Sequence, residues 1–320
     1  MIGINNYDIK ENMIKLQQIR SFIAVYENGS FSRGAKHVNA TQSGLSMQIQ
    51  NLELSLGARL FERMPKGVVP TAAGRRFYRR SVAIIRDMQM AKDEVQEIGN
   101  RVSGRIRAGI IPAFAQSILA PTLVDFYERY PDVDVAIFEG FSPVLPEAVI
   151  RQDLDFAVVP ADQQRIGLRH KHFATDREIL VSNINSDLEH LHPVSPANLP
   201  PLKLALPTRG NARRDRLDAF FSLAGVNVDA ILEIDSVVAT LELVANSDWM
   251  TILPSVICSR DIALRVRKLH PIISPRIPIE FVLLEPQTVV PPRASELFLD
   301  MLSIHLQKTE NKWIKAFPNF

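Results

Sequence analysis

A short helical pattern near the N-terminus carries an apolar stripe on one side and hydrogen-bonding side chains on the other. Thr41 is placed to cap this helix, and the stripe consists of Leu45, Ile49, Leu52 and Leu56. The opposite side carries Gln42, Ser43, Ser46, Met47 and Gln50. Glutamine can bond adenine through two hydrogen bonds, and serine can bond base edges or phosphates. A helix with one packing face and one such polar face is what reading of the DNA major groove requires.

Basic residues surround this helix in the sequence. Residues 13–80 hold 11 Lys and Arg against 3 Asp and Glu, whereas residues 81–320 hold 25 against 30. Basic side chains on one face neutralise phosphates and release counterions. Basic charge is also common on solvated faces, and here it is informative because it coincides with the helix pattern. Besides the five residues of the polar face, we expect the DNA-binding surface to include Ser30, Arg33, Lys36, Thr41, Arg63, Lys66 and Arg75.

Two shorter helices precede the reading helix, and a β-ribbon follows it. Apolar spacing predicts a first helix that stops at Asn28-Gly29, and Ser30 is placed to cap a second helix through about Val38. Turn-forming residues over 63–70 predict a small β-ribbon, or wing. Residues 1–12 lack any periodic pattern and are expected to be disordered. Residues 13–71 are therefore predicted to form a winged helix-turn-helix domain.

A long helix is predicted over residues 72–101, with Thr71 as its cap. Apolar positions repeat at alternating steps of four and three residues, which is the pattern of a coiled-coil seam. A helix packed on its own domain is the alternative, but a helix of about 40 Å outreaches a small domain. We therefore expect a dimerisation seam made of Phe77, Ile84, Met88, Ala91, Val95 and Ile98, with Ser81 as a polar member.

After a linker at 101–104, short apolar runs alternate with helical patterns over residues 104–308. Such alternation predicts parallel sheets covered by helices on both faces. The predicted fold class is α+β multidomain, with a winged helix-turn-helix, a long linker helix and an α/β domain. After residue 308 the chain is polar, and we expect a flexible tail over 309–320.

The N-terminal sequence resembles the LysR-type transcriptional regulators. The resemblance is carried by LQQIRSF at 16–22, GSFSRGA at 29–35, TQSGLSMQI at 41–49, LE at 52–53, LG at 56–57, LFER at 60–63 and TAAG at 71–74. The strand-helix pattern after Gly104 is more loosely similar to the effector domain of the same family. That domain is similar to periplasmic binding proteins, with two α/β lobes joined by two crossover strands.

This resemblance implies a DNA-binding transcription regulator that responds to a small organic effector bound between the lobes. It also implies a homodimer through the long helix, paired again into a homotetramer, an interrupted palindromic operator, and RNA polymerase as a further partner. The chain departs from the family at Ser43-Gly44, where Pro-Ala is usual, and at Met47, where a basic or polar residue is common. The lobes are expected at 105–175 with 276–305 for lobe one, and at 176–275 for lobe two.

Loops at the strand ends should line the cleft between the lobes. The family often has Ser or Thr at the position of Ala113, so Gln116 or Ser117 is the expected substitute, and Ser142 matches a frequent hydroxyl contact. Arg209, just before a helix, suits an anion. The alternative is that these are ordinary loop and capping residues. The expected effector-binding residues are Ala113, Phe114, Gln116, Ser117, Ser142, Thr208, Arg209, Asn211 and Ser236.

Other function classes find less support. Phosphate-loop, nucleophile-elbow and zinc-protease motifs do not occur in the sequence, so we expect neither an enzyme nor a cofactor. The lone Cys258 disfavours a thiol-pair redox sensor, and the alternating pairs His170/His172 and His190/His192 lack the cysteine or carboxylate partners of a metal site. With no secretory signal or bilayer-length apolar run, the chain is expected to be cytoplasmic. The open alternatives are an architectural DNA-binding protein without effector and a solute-binding protein.

Overall fold

The computed structural model divides between Asn100 and Arg101 into two units, each with its own apolar core. It describes residues 13–65, 67–97, 102–141, 144–161, 166–287 and 291–318. The predictions made for residues 1–12, Lys66, Ile98 and Ser142 lie outside the described residues. Within the described ranges, no helix is both long enough and apolar enough to cross a membrane.

The N-terminal unit is a winged helix-turn-helix followed by a long helix. Its elements are α1 (Leu16–Asn28), α2 (Phe31–His37), α3 (Gln42–Leu56), the antiparallel pair β1 (Phe61–Met64) and β2 (Gly67–Pro70), and α4 (Ala72–Glu97). Gly29 and Gly57 end α1 and α3 in the left-handed conformation, with φ of 58° and 63°, which glycine adopts without steric cost. Phe22, Leu45 and Leu52 lie in the core where the helices meet.

Hydroxyl caps start two of these helices, as the sequence predicted, but a third predicted cap is wrong. The Thr41 hydroxyl accepts from the Gly44 amide at 3.1 Å, and the Thr71 hydroxyl accepts from the Gly74 amide at 3.0 Å. Ser30 precedes α2 without capping it through its side chain, because its hydroxyl pairs instead with the Ser32 hydroxyl at 3.0 Å.

The C-terminal unit is built on a seven-stranded mixed sheet. The described strands are β3 (Gly104–Ile110), β4 (Val133–Glu139), β5 (Phe156–Pro160), β6 (Leu168–Asn183), β7 (Leu202–Leu206), β8 (Val228–Glu233), β9 (Thr251–Pro254), β10 (Arg267–Pro271) and β11 (Pro278–Pro286). The large sheet has the order β10-β6-β11-β5-β3-β4, with β9 also on β6, and β7 pairs with β8 in a small parallel sheet. The expectation of parallel sheets holds for β3 with β4 and β5 and for β7 with β8, whereas β11, β10 and β9 pair antiparallel.

Helices cover the sheets and connect the strands. They are α5 (Pro112–Phe114), a π-helical stretch (Ala115–Leu119) leading into α6 (Ala120–Arg129), α7 (Val144–Ile150), α8 (Ala212–Ala224), α9 (Val237–Ala245), α10 (Asp261–Leu264) and α11 (Arg293–Ala316). Single turns of 3₁₀-helix occupy Pro196–Asn198 and Ser255–Cys258. The apolar core contains Phe114, Phe156 and Phe281, which are fully buried.

The long strand β6 connects two parts of this unit. Residues 168–177 pair with β11, and residues 178–183 pair with β9 and β10. The chain therefore crosses from one part to the other along β6 and returns between β10 and β11. The first half of this strand is polar and partly exposed, so no apolar run in the sequence marks its full length.

The expectation of a flexible tail beyond residue 308 is wrong. Helix α11 continues to Ala316, and Thr309 and Trp313 are buried on the same side as His305. Residues spaced by four lie on one helix face. Two of these three buried residues are polar, so the sequence shows no apolar stripe on this face of α11.

Candidate functional site

Helix α3, which the sequence predicts to read DNA, presents the expected polar face. Gln42, Ser43 and Gln50 are exposed, Ser46 is half-buried, and Met47 is 58% exposed. The opposite face carries the buried stripe Leu45, Ile49 and Leu52. The helix is thus anchored on one side and open on the other.

The wing is fixed to this helix by backbone and carboxylate contacts. The Glu53 carboxylate accepts from the amides of Leu60 and Phe61 at 2.6 and 3.2 Å. The Val68 amide donates to the Gly29 carbonyl at 3.1 Å. These bonds place the ribbon beside α3 and hold it against the turn between α1 and α2.

Three of the predicted arginines are oriented by the domain itself. Arg33 donates twice to the Asn28 carbonyl, at 3.0 and 2.6 Å, and Arg75 donates to the Pro70 carbonyl at 2.8 Å. The Arg63 guanidinium lies 5.9 Å from the centre of the Phe31 ring. Lys36 is exposed, so these cations form a basic rim around α3. Such a rim suits contacts with DNA phosphates, which position a protein on the duplex.

Helix α4 divides into two parts. Phe77 lies edge-on to Phe22, with 5.1 Å between ring centres, and Ser81 is fully buried. Both residues therefore pack within the N-terminal unit, and the placement of Phe77 in a seam between two chains is corrected. Further along, the exposed residues at the seam positions are Ile84, Met88, Ala91 and Val95.

The C-terminal unit contains a cavity of about 510 Å³. It lies at the carboxyl ends of the parallel strands, where ligands bind in open α/β sheets. We call it the effector cavity, because it is where we expect an effector to bind. Its apolar walls include Ile111, Pro112, Phe141, Pro160, Leu206, Pro207, Leu253, Pro254, Ile257, Ile279 and Phe281. Its polar lining comprises Asn211, Arg213, Arg216, Asp235, Thr240 and Thr251.

Of the predicted effector residues, Ala113 and Asn211 line this cavity. Six others are not among its lining residues. Phe114 is a core residue, and its ring centre lies 4.7 Å from that of Phe281. The Ser117 hydroxyl donates to the Ala113 carbonyl at 2.7 Å. Gln116 is exposed. None of these three side chains is among the residues that line the cavity, although Pro112 and Ala113 of the same helical turn are.

The remaining three are loop residues around α8 and α9. Thr208 donates its amide and hydroxyl to the Asp235 carboxylate at 3.1 and 2.6 Å. The Ser236 hydroxyl caps α9 by accepting from the Ala239 amide at 3.3 Å. Arg209 is 85% exposed and lies 3.8 Å from Glu233. The alternative of ordinary loop chemistry therefore describes Thr208, Arg209 and Ser236.

The cavity's arginines were missed in the sequence. Arg213 and Arg216 lie three residues apart on α8 and so share the face that lines the cavity. Arg214 points the other way, buried and bonded to Asp218 and Glu233 at 2.8 and 3.1 Å. The sequence signal that could have found them is the three-residue spacing of Arg213 and Arg216 in the segment ARRDR at 212–216. This segment follows Asn211, whose side-chain oxygen caps α8 by accepting from the Arg213 amide at 3.0 Å.

The remaining candidate groups are in structural positions. Cys258 is buried, and burial raises the pKa of its thiol, which leaves it protonated and unreactive. His172 bonds the Thr175 hydroxyl at 3.1 Å, and the His190 ring accepts from the Leu269 amide at 3.2 Å. Among the described residues, no three His, Cys, Asp or Glu side chains are grouped to hold a metal ion.

A winged helix-turn-helix with an open polar face and a separate α/β unit with a ligand-sized cavity define a ligand-binding, DNA-binding regulator. Comparison with known proteins agrees. Residues 16–75 match the bacterial regulatory helix-turn-helix of the lysR family, and residues 99–307 match the LysR substrate binding domain. The chain belongs to the LysR family of DNA-binding transcription regulators, whose members are regulators rather than enzymes.

Curated relatives include the nitrogen assimilation regulatory protein nac of Escherichia coli K12. It is 27% identical over 242 residues, which are 75% of this chain and 78% of the relative. The HTH-type transcriptional regulator BbuR of Bordetella bronchiseptica is 29% identical over 253 residues, covering 79% of this chain and 78% of that protein.

Solved structures share the fold. A full-length OxyR variant from Pseudomonas aeruginosa matches with a TM-score of 0.69 and 19% identity, covering 91% of this chain and 95% of that one. Full-length CbnR in complex with its target DNA matches with a TM-score of 0.63 and 20% identity, covering 92% and 99%.

Proposed function

We propose that this chain is a cytoplasmic, sequence-specific regulator that binds an interrupted palindromic operator as a homodimer or a pair of dimers. In this proposal a small organic anion in the effector cavity sets its regulatory state. The observation that carries the anion proposal is the pair Arg213 and Arg216 on the cavity wall.

Two further features support an anion. The N-terminal residues of α8, Ala212 and Arg213, line the cavity, and so does the first residue of α9, Val237. Helix N-termini carry partial positive charge and unpaired amides, which favour anionic groups. The apolar walls fit the hydrocarbon part of the ligand, and a volume of about 510 Å³ suits a molecule of metabolite size.

For DNA reading, we propose that Gln42, Ser43, Ser46, Met47 and Gln50 face base edges and that the basic rim contacts phosphates. Met47 offers no hydrogen bond to a base pair, so its contact would be apolar, as with a thymine methyl group. Thr41 and Ser30 lie beside this face and would bind phosphate oxygens through their hydroxyl groups.

For assembly, we propose that the exposed stripe Ile84, Met88, Ala91 and Val95 pairs with the same stripe of a second copy. Three of these side chains, Ile84, Met88 and Val95, are large, apolar and 45%, 49% and 67% exposed. Such a row is costly in water and typical of a helix that pairs. RNA polymerase would then be a partner of the DNA-bound assembly.

The DNA proposal is tested by capture of sheared host DNA with the purified full-length protein, followed by sequencing. We expect a few sharp sites with dyad symmetry, one of them beside the protein's own gene. Diffuse binding without a recurring sequence would contradict sequence-specific reading and favour the architectural alternative.

The anion proposal is tested by thermal unfolding with a panel of small carboxylates and their uncharged amides. A ligand at about 100 times its Kd adds roughly 2.7 kcal/mol to the free energy of unfolding, so binding is readily seen. We expect at least one carboxylate, but not its amide, to raise the unfolding temperature, and Arg216→Gln to abolish the effect. Stabilisation by amides as well as carboxylates would contradict the anionic class.

A further inference from the structure

One wall of the effector cavity separates it from a second cavity. Strand β9 ends at Leu253 and Pro254, which line the effector cavity together with Ile257. Ser255 and Val256 lie in the sequence between Pro254 and Ile257, and both line the second cavity of about 550 Å³. We call residues 253–257 the shared wall. Neighbouring residues of this segment therefore face different cavities.

The end of α11 closes the outer side of this wall. The second cavity lies between the first half of β6 and the last three turns of α11. Trp313 is 1% exposed, and its indole nitrogen donates to the Ser255 carbonyl at 3.0 Å. A buried indole N–H with a carbonyl partner fixes both groups, because breaking the bond leaves a buried donor unsatisfied.

The same wall is bonded to the crossover strand. The Ser255 hydroxyl donates to one oxygen of the Asp176 carboxylate at 2.5 Å, and the Val256 amide donates to the other at 3.0 Å. Asp176 belongs to β6, which joins the two parts of the unit. The wall is thus held by α11 through Trp313 and by the crossover strand through Asp176.

A third contact holds the strand before the wall from the cavity side. The Arg213 guanidinium donates to the Ile252 carbonyl and also binds Glu178, two residues after Asp176 on β6. Residues two apart on a strand point to the same face. The side chains that bind the wall from outside and from inside therefore start from neighbouring positions of one strand face.

We propose that Trp313 is a positioning residue for the effector cavity, acting on the shared wall from outside. This proposal rests on the proposed function, in which the effector binds in this cavity. Trp313 lies near the C-terminal end of α11, beyond residue 307 where the family match ends. By fixing Ser255, it fixes Leu253 and Ile257 and thereby the shape that a ligand meets.

The test is amide hydrogen exchange by mass spectrometry on the full-length protein without ligand or DNA. Trp313→Phe keeps a buried ring but removes the donor, and we expect amides of residues 252–258 to exchange roughly five- to tenfold faster. Trp249→Phe is the matched control, since it makes the same substitution at the chain's other tryptophan, and should leave this segment unchanged.

A second variant separates the contact from simple loss of packing. Asp176→Asn preserves volume but offers only one acceptor oxygen to Ser255 and Val256, so exchange in 252–258 should again increase. In the double variant with Trp313→Phe the increase should be less than the product of the two single effects, because both bonds hold one segment.

Parent-like exchange at 252–258 in Trp313→Phe would overturn the proposal. An equal increase in strand β5 would overturn it too, because the tryptophan would then act only through the general core. Since this measurement uses no effector, it is independent of the carboxylate panel. Failure of the panel counts against the anion, and failure of the exchange result counts against Trp313.

Discussion

Arg213 and Glu178 form a two-bond ion pair that connects the effector cavity to the crossover strand. Arg213 Nε lies 2.7 Å from one carboxylate oxygen and its terminal nitrogen lies 3.0 Å from the other. The Glu178 side chain is 3% exposed and that of Arg213 is 15% exposed. A cation of the cavity wall is therefore paired with a carboxylate of the protein itself. An anionic ligand near it would compete with Glu178 and so act on β6.

Glu178→Gln should destabilise the C-terminal unit. Removing one partner of a buried ion pair leaves the other charge uncompensated, at a cost of about 3–5 kcal/mol when burial is complete. Since Arg213 borders a cavity, we expect a loss of about 2–4 kcal/mol in the free energy of unfolding. Denaturant titration followed by tryptophan fluorescence reports on this unit, because Trp249 and Trp313 both lie in it.

An exposed ion pair of equal length provides the control for that measurement. Lys203 and Asp248 are also 2.7 Å apart, but their side chains are 43% and 69% exposed. Solvent screens such pairs, so Asp248→Asn should leave the denaturation midpoint unchanged. Equal losses in both variants would show that burial does not decide the contribution of these pairs.

Gln42→Ala and Ser46→Ala should each weaken binding to the captured operator without changing the fold. Loss of one base contact costs about 1–3 kcal/mol, which is roughly a five- to 150-fold increase in Kd. Ser55→Ala is the control, because Ser55 is a half-buried serine in the last turn of the same helix, outside the proposed reading face. Fluorescence anisotropy with labelled operator DNA measures all three. Parent-like affinity in both Gln42→Ala and Ser46→Ala would place the reading face elsewhere.

The N-terminal unit was predictable because its signals are local. Thr41 caps α3 and Gly57 ends it, while its apolar residues recur at one helical period, so three independent cues agree on one element. The exposed polar face followed from the same periodicity. The rotation of individual side chains did not, and Ser30 bonds Ser32 rather than the backbone of α2.

The C-terminal unit was less predictable because its decisive contacts join distant residues. Arg213 meets Glu178 across 35 positions, and Trp313 meets Ser255 across 58. No periodic pattern encodes such pairs. The crossover half of β6 and the end of α11 also use polar residues where a buried face is expected, as at His305 and Thr309.

Charged residues in the exposed stripe of α4 should break the dimer. Ile84→Glu with Met88→Glu places like charges from both copies in one apolar seam, where their desolvation is unfavourable. We expect the sedimentation coefficient to fall to that of a monomer. Gln89→Glu adds a charge on the other side of the helix and should leave the assembly intact. A double variant that sediments like the parent would refute the seam.

Two titratable groups of the C-terminal unit should give its stability opposite dependences on pH. Burial lowers the pKa of His270 to about 4, assisted by repulsion from His190, Lys268 and His192, although the Glu189 carbonyl bonds its ring. The folded state then binds fewer protons than the unfolded one between pH 4 and 6.5, and stability falls as the pH falls through this range. Burial raises the pKa of Asp176 to about 6, so the folded state binds more protons between pH 4 and 6. Its contribution to stability rises as the pH falls.

Because the two contributions oppose each other between pH 4 and 6, single variants should tilt the profile in opposite directions. In His270→Gln the free energy of unfolding should rise relative to the parent as the pH falls from 6 to 4, and in Asp176→Asn it should fall. Each tilt can reach about 1.4 kcal/mol per pH unit. Urea titrations read by tryptophan fluorescence at several pH values measure the slopes, so a uniform offset caused by either substitution does not matter. Parallel profiles for parent and both variants would show that neither group changes its protonation on unfolding in this range.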